Sequence, residues 1–134
     1  MDQGIFDVEL WCNHLKQLLS GIRLVVVANR APYLHHYVDG RIEVMRPASG
    51  LTTALDPVMR ATGGVWIAAS AGDADDDVLD ERSSVAVPPG QALYRLRRLR
   101  LSKADEDGFY YGFANGSLWP MCHMAYVRPR FQES

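Results

Sequence analysis

The stretch Arg23-Leu-Val-Val-Val-Ala-Asn-Arg30 decides the fold class of this chain. Its apolar, β-branched centre predicts a strand that is covered on both faces, as in the middle of a parallel sheet. A second buried strand is predicted at Val65-Trp-Ile-Ala-Ala69. Between the two strands, Ser49-Gly50 opens a segment whose apolar residues recur at helical spacing. The order strand, helix, strand predicts an α/β sheet with helices on its faces.

Further elements are predicted on either side of these strands. Residues Asp7 to Ser20 form an amphipathic pattern that Gly21 ends, which indicates a helix. Asp39-Gly40 is a turn signal between two short alternating runs and predicts a small hairpin. Residues Ala31 to Asp39, which lead into this turn, are predicted as a loop that holds His35 and His36. After the hairpin, Pro57 is expected to kink or break the helix that Ser49-Gly50 opens.

The second half of the chain begins with an acidic run, Asp73 to Arg82, which predicts a solvated loop because it lacks the ligand spacing of a calcium site. Strands are predicted at Val85 to Val87 and at Leu93 to Leu101. Ser102 and Asp105 have the spacing of a capping box before an aromatic-rich segment.

Composition limits the classes of function. The chain has 134 residues, a net charge of -2 and 48% hydrophobic residues, which fits one globular domain and gives no reason to expect nucleic acid or an anionic membrane as partner. No apolar run approaches the ~20 residues of a membrane helix, and Met1-Asp2-Gln3-Gly4 does not open a signal peptide. Cys12 and Cys122 have no metal or redox spacing. We therefore expect a cytoplasmic chain without a metal or other cofactor.

Arg30 stands directly after the first strand, where open α/β sheets bind ligands. A partly desolvated guanidinium there is suited to binding a phosphate through paired N–H donors. The alternative is an ion pair with a surface carboxylate. Gly50 raises a similar choice, because the free N–H groups of a helix start favour anions, whereas a plain helix start fits equally well.

The segment from Phe109 to His123 places many aromatic side chains beside polar groups. Such a mixture suits a sugar site, in which rings contact sugar C–H faces and polar groups bond the hydroxyls. An aromatic core segment is the alternative, with His123 a structural residue. The basic run Arg95 to Arg100 fits a solvated strand face better than a nucleic-acid site.

Taken in order, four stretches resemble the N-terminal part of the trehalose-6-phosphate synthase family. They are Arg23 to Arg30, Ser49 to Val58, Gly64-Val-Trp-Ile67 and Tyr110-Tyr-Gly-Phe-Ala-Asn-Gly-Ser-Leu-Trp-Pro120 with His123. The resemblance implies an incomplete Rossmann-like sheet with flanking helices, the front of the N-terminal domain of a two-domain retaining glycosyltransferase. Residues 1–22 would form a separate amphipathic helix and residues 23–134 a partial acceptor-side domain.

The family transfers glucose from UDP-glucose to glucose 6-phosphate. By the resemblance, Arg30 and Tyr110 would hold the acceptor phosphate, Trp119 would line the acceptor sugar pocket and Gly50 would face the donor diphosphate. No metal, cofactor or protein nucleophile is implied. The family usually has paired glycines where this chain has Ser49-Gly50, so a positive φ at Ser49 would strain that loop.

The donor-binding domain of the family has no counterpart in these residues, so we expect no turnover from this chain alone. The alternative is a non-catalytic sugar-phosphate-binding or regulatory remnant that pairs with another chain at an open sheet edge.

Overall fold

The computed structural model describes residues 8–123, which fall into two compact units, and the chain passes from one to the other between Leu99 and Arg100. The elements of the first unit, in chain order, are α1 (Val8–Leu18), β1 (Val25–Val27), β2 (Leu34–Val38), β3 (Arg41–Met45), α2 (Gly50–Thr62), β4 (Val65–Ala69), a 3₁₀ turn (Asp75–Val78), β5 (Ser84–Val87) and β6 (Tyr94–Leu99). The second unit holds α3 (Lys103–Asp105), a π-helix (Glu106–Leu118) and α4 (Trp119–Cys122).

The first unit is built on a four-stranded sheet of order β1-β4-β6-β5. β1 and β4 are parallel, β4 and β6 are parallel, and β5 returns antiparallel to β6. The core contains Met59 from α2, Trp66 from β4, and Tyr94 and Leu96 from β6, all buried. An α/β fold is therefore confirmed, with β1 and β4 at the two apolar runs that predict them.

β1 lies at an edge of the sheet in the described part of the chain, not at its centre. Val25 is 49% exposed and Val27 is 73% exposed, so the expectation of a strand covered on both faces is wrong for these residues. The physical reason is that no described element buries the face that Val25 and Val27 share, whereas Val26 packs against the core on the other face. The apolar composition still fits a covered strand.

The hairpin of β2 and β3 turns at Asp39 and Gly40, whose φ angles are 48° and 74°. Positive φ at both central residues is the geometry that an Asp-Gly turn favours, and the predicted hairpin is confirmed. The first strand of the hairpin begins at Leu34, so His35 and His36 are strand residues and the prediction of a loop there is wrong.

α2 runs without a break from Gly50 to Thr62 and contains Pro57. The Cys12 thiol donates to the Pro57 carbonyl over 3.9 Å, where α1 packs against α2. Ser49 has φ -154°, which is extended backbone, so the single glycine of this loop causes no strain at Ser49.

The second unit is one helical segment. Ser102 caps it: its hydroxyl accepts from the Asp105 N–H at 3.1 Å, which confirms the predicted cap. Beyond Asp105 the backbone winds as a π-helix through Leu118, and the Trp119 N–H donates to the Ala114 carbonyl five residues back. Among residues 8–123, no helix is both long enough and apolar enough to cross a membrane.

Candidate functional site

Arg30 follows β1 at the carboxyl end of the parallel strands. The Ala28 N–H donates to the Ile67 carbonyl at 3.0 Å, so the parallel ladder continues one residue past β1. The buried Trp66 indole N–H donates to the Arg30 carbonyl at 3.1 Å. The Arg30 side chain is exposed, and no carboxylate in residues 8–123 forms an ion pair with it. The backbone is therefore fixed while the guanidinium stays available to a ligand.

The chain after Arg30 turns into the core and is held by a buried carboxylate. Asp56, on α2, is 1% exposed. Its oxygens accept from the Tyr94 hydroxyl at 2.6 Å and from the Tyr33 hydroxyl at 3.3 Å. Arg46 and Arg60 reach the same carboxylate at 2.7 and 2.9 Å. This cluster ties the segment after β1 to α2 and β6.

The charges in this cluster change the titration of its members. Burial, followed by the hydrogen bond to Asp56, raises the pKa of Tyr94 far above its ordinary range, so the phenol stays protonated and remains a donor. Burial acts to lower the pKa of Arg60, but its bond to Tyr33 and the Asp56 charge raise it overall. The Arg60 guanidinium also donates to the Tyr33 hydroxyl at 2.8 Å.

A second buried carboxylate, Asp75, anchors the hairpin to the sheet. It accepts from the His35 backbone N–H at 2.8 Å, and its oxygen lies 3.0 Å from the His35 ring nitrogen Nδ1. Arg98 donates to the same oxygen at 2.7 Å, and the N–H groups of Ala71 and Gly72 donate to the other. Burial acts to raise the pKa of Asp75, but the bond from His35, the two backbone bonds and the Arg98 charge lower it to about 2.

Asp75 and Arg98 contradict two expectations. Asp75 is 0% exposed although it belongs to the acidic run predicted as solvated. Arg98, 2% exposed, faces the core although its basic run is predicted as a solvated face. The other members behave as predicted: Arg95 and Arg97 are exposed, on the opposite face of β6. Strand alternation decides this, because neighbouring side chains of β6 point to opposite faces.

Gly50 is the first residue of α2. The first bond of the helix joins the Thr53 N–H to the Ser49 carbonyl, and no side chain caps the helix at Ser49. The three preceding N–H groups of the helix therefore lack helical acceptors. A Cβ at Gly50 would have no atom within 4 Å, so the space beside this helix start is open. Such a helix start can receive an anion.

Tyr110 and Trp119 lie in the second unit. A helix bonded from i to i−5 has about 4.4 residues per turn, so residues nine apart are separated by about two full turns. Tyr110 and Trp119 therefore fall on nearly the same face, whereas α-helical winding would put them on opposite faces. Tyr110 is half-buried and Trp119 is 56% exposed.

The rings of this segment contact one another in pairs, and Tyr110 meets Tyr111 edge to face. Trp119 and His123 stack with ring centroids 3.9 Å apart, and the His123 Nδ1 lies 2.9 Å from the Trp119 carbonyl oxygen. Phe109 and Phe113 stack at 6.3 Å. Both phenylalanines are exposed, so the alternative of an aromatic core segment does not describe them.

Sequence reasoning missed the two buried aspartates and the role of Trp66. A signal was present for Asp56, because it stands with Thr52 and Met59 on the face of α2 that is buried. For Asp75 no such signal exists, because the sequence does not distinguish it from the neighbouring aspartates. No group of three or more histidine, cysteine, aspartate or glutamate residues within residues 8–123 is placed to hold a metal ion.

Comparison with known proteins relates the chain to one family, although no family model matches it. The trehalose-6-phosphate synthase of Mycobacterium ulcerans is 41% identical over 107 residues, which cover 78% of this chain and 20% of that protein. The trehalose-6-phosphate synthase of Mycobacterium tuberculosis is 38% identical over 108 residues, 80% of this chain and 21% of that protein. The chain thus spans about a fifth of the length of the curated relatives it matches.

Solved structures agree. An α,α-trehalose-phosphate synthase (UDP-forming) from Burkholderia vietnamiensis matches 82% of this chain, with 27% identity and a TM-score of 0.50. The trehalose-6-phosphate synthase OtsA matches the same share with 27% identity and a TM-score of 0.53, over 21% of its own length. The apolar strands, the Arg30 strand end and these relatives together identify the chain as a partial, N-terminal member of the trehalose-6-phosphate synthase family.

Proposed function

We propose that this chain forms the acceptor side of a trehalose-6-phosphate synthase active site and binds glucose 6-phosphate. The exposed Arg30 guanidinium carries the proposal. It leaves the carboxyl end of a parallel strand, where α/β sheets bind ligands, on a backbone that Trp66 holds in place. A guanidinium matches phosphate oxygens through paired N–H donors.

We also assign Tyr110 and Trp119, in the second unit, to acceptor binding. Their shared helical face offers a phenol hydroxyl for the phosphate and an indole surface for the sugar ring. Gly50 and the two N–H groups after it would receive the diphosphate of the sugar donor at the start of α2. These groups position substrates and stabilise charge on the departing diphosphate, without a protein nucleophile.

Transfer of glucose from UDP-glucose would require the parts of the relatives that lie outside the matched fifth. We expect no UDP release from this chain alone. A chimera in which the chain replaces the matched section of the Mycobacterium ulcerans enzyme would release UDP in the presence of glucose 6-phosphate.

We also assign the chain to the cytoplasm, because Cys12 and Cys122 are both free thiols.

The test of the acceptor site is isothermal titration of the chain with glucose 6-phosphate. We expect binding that Arg30→Ala weakens by about tenfold or more, which corresponds to loss of one charge-assisted contact. Arg41→Ala, an exposed arginine on β3, is the matched control and should leave binding unchanged. Equal binding by the Arg30→Ala variant and the wild type would contradict the proposal, as would no binding by either.

A second candidate is a non-catalytic chain that binds sugar phosphate and pairs with a protein partner. The exposed edge at β1 favours it, because an unpaired strand edge is a template for another strand. Light scattering over a dilution series would reveal self-association through this edge. Val27→Lys, which places a charge at the edge, should then abolish the association.

A further inference from the structure

A cavity of about 670 Å³ lies on the first unit, away from Arg30. It is lined by Gly64 and Val65 and by polar residues from three separate parts of the sequence. These polar residues are Arg23, Asp80, Arg82, Ser84, Arg95 and Arg97. Arg23 precedes β1 and Arg30 follows it, so the cavity and the proposed acceptor site lie at opposite ends of that strand.

The sheet brings the arginines together. Alternation along β6 places Arg95 and Arg97 on one face, with Leu96 between them on the buried side. Arg95 donates its backbone N–H to the Gly64 carbonyl at 3.0 Å, and Arg97 is opposite Ser84 in the register of β5 and β6. Val65 donates to the carbonyl of Leu24, next to Arg23. Three strands, β4, β5 and β6, and the segments before β1 and β5 therefore contribute to one basic surface.

The cavity has an excess of positive charge. Its one carboxylate, Asp80, pairs with Arg95 and accepts the backbone N–H groups of Arg82 and Ser84 at 2.9 and 3.0 Å. Burial acts to raise the pKa of Asp80, but these N–H groups and Arg95 lower it overall, so the carboxylate stays charged and paired.

Three guanidinium groups are left without a carboxylate, those of Arg23, Arg82 and Arg97. None forms an ion pair within the described range, 8–123. Like charges that share a cavity repel one another, and an anion that bridges them removes that repulsion. The guanidinium group suits phosphate oxygens in particular, since it presents several N–H donors in one plane.

We propose that this cavity binds a compact anion carrying two phosphate groups, of the class of inorganic diphosphate or a sugar bisphosphate. The volume lies within the range of small-molecule sites, about 300–1,000 Å³. The lining has no aromatic side chain, so it offers no stacking surface for a nucleobase. The three arginines can share the oxygens of two phosphates. The site is separate from the proposed acceptor site and does not depend on it.

Titration of the whole chain with inorganic pyrophosphate tests the proposal, with binding measured by calorimetry and by amide chemical shifts. We expect saturable binding in the micromolar to millimolar range that shifts the amides of Val65 and Ser84. Shifts confined to the amides of Gly50 and Leu51, at the diphosphate site proposed for the start of α2, would overturn the proposal. Arg97→Gln and Arg82→Gln should each weaken binding by about tenfold. Arg41→Gln removes one exposed positive charge elsewhere and should change nothing.

Two further arms decide the outcome. Arg30→Gln should leave pyrophosphate binding intact, so failure of the acceptor site and failure of this site are distinguishable. Circular dichroism of each variant checks that the fold is retained, and a variant that unfolds is replaced by Arg23→Gln, before β1. Equal weakening by Arg41→Gln would mean general charge attraction and would overturn the proposal. Absence of binding, or tighter binding of an acidic peptide than of pyrophosphate, would overturn it too.

Discussion

The indole N–H of Trp66 donates a hydrogen bond to the carbonyl of Arg30 over 3.1 Å. Trp66 is fully buried in β4, the neighbour of β1, and Arg30 is exposed just beyond β1. The bond therefore links the core of the sheet to the one arginine that the proposed acceptor site requires. It explains how an exposed side chain can start from a fixed backbone position.

Trp66→Phe tests this link. The change removes the donor and leaves the Arg30 carbonyl without it, so we expect a loss of about 1–3 kcal/mol in the free energy of unfolding. Binding of glucose 6-phosphate should weaken as well, because the backbone at Arg30 loses the hydrogen bond that holds it in place. Urea unfolding measures the first effect, with Trp119→Phe, on an exposed indole, as the control that should cost little.

Asp56→Asn tests the buried cluster on α2. The substitution removes the charge that two arginines and two phenols share, so we expect destabilisation of about 2–3 kcal/mol by urea unfolding. Arg46→Ala should cost less than about 1 kcal/mol, because that arginine is largely exposed. A larger effect of Arg46→Ala than of Asp56→Asn would show that the carboxylate is not the centre of the cluster.

Asp75 predicts how stability depends on pH. Its pKa is lowered from 3.8 to about 2 in the folded chain, so its stabilising contribution is complete above pH 4 and disappears as the pH falls towards 2. The loss should be about 2 kcal/mol over that interval. Asp75→Asn should remove this part of the pH dependence in unfolding measurements at pH 2 to 5. Asp39→Asn, at the exposed hairpin turn, should leave it unchanged.

Gly64 has no room for a side chain. Its φ is 108°, and a Cβ there would lie 2.2 Å from the Leu24 carbonyl oxygen, which accepts the Val65 N–H. Gly64→Ala must therefore move β1 or β4, and we expect a cost above about 3 kcal/mol or no folding. Gly40→Ala also has a positive φ but open space, so thermal unfolding should show a loss of only about 1 kcal/mol.

Trp119 offers an optical test of the acceptor pocket. Its indole is 56% exposed, whereas Trp66 is fully buried, so iodide should quench mainly the Trp119 emission, after correction for Trp11 with a Trp11→Phe variant. Glucose 6-phosphate should protect Trp119 from quenching, because the sugar ring would cover the indole. Arg30→Ala should remove the protection. Unchanged quenching at saturating ligand would show that Trp119 is outside the binding site.

Local patterns predict the elements of this chain well. The apolar runs locate β1 and β4, Asp39-Gly40 locates the hairpin, and Ser102 with Asp105 locates a helix start. Each depends on neighbours in sequence. The resemblance to trehalose-6-phosphate synthases depends on four such stretches in order, and the relatives confirm it.

What could not be predicted depends on partners far apart in the chain. His35 and Asp75 are 40 positions apart, and Asp56 and Tyr94 are 38 apart. Nothing in the local sequence separates Asp75 from the exposed aspartates beside it. The position of β1 at the sheet edge could not be predicted either. An apolar run indicates that a strand is suited to burial, but it does not indicate which strands lie beside it.

The two buried carboxylates also determine how the hairpin can move. The Tyr33 hydroxyl, just before β2, donates a hydrogen bond to Asp56, and the His35 N–H, within β2, donates one to Asp75. The turn at Asp39 is exposed. Amide hydrogen exchange should therefore be slow at His35 and fast at the turn. Only the end of the hairpin near Asp39 can open without leaving a buried carboxylate without its hydrogen-bond donors. The loop after β1 keeps its shape through such partial opening, and Arg30 with it.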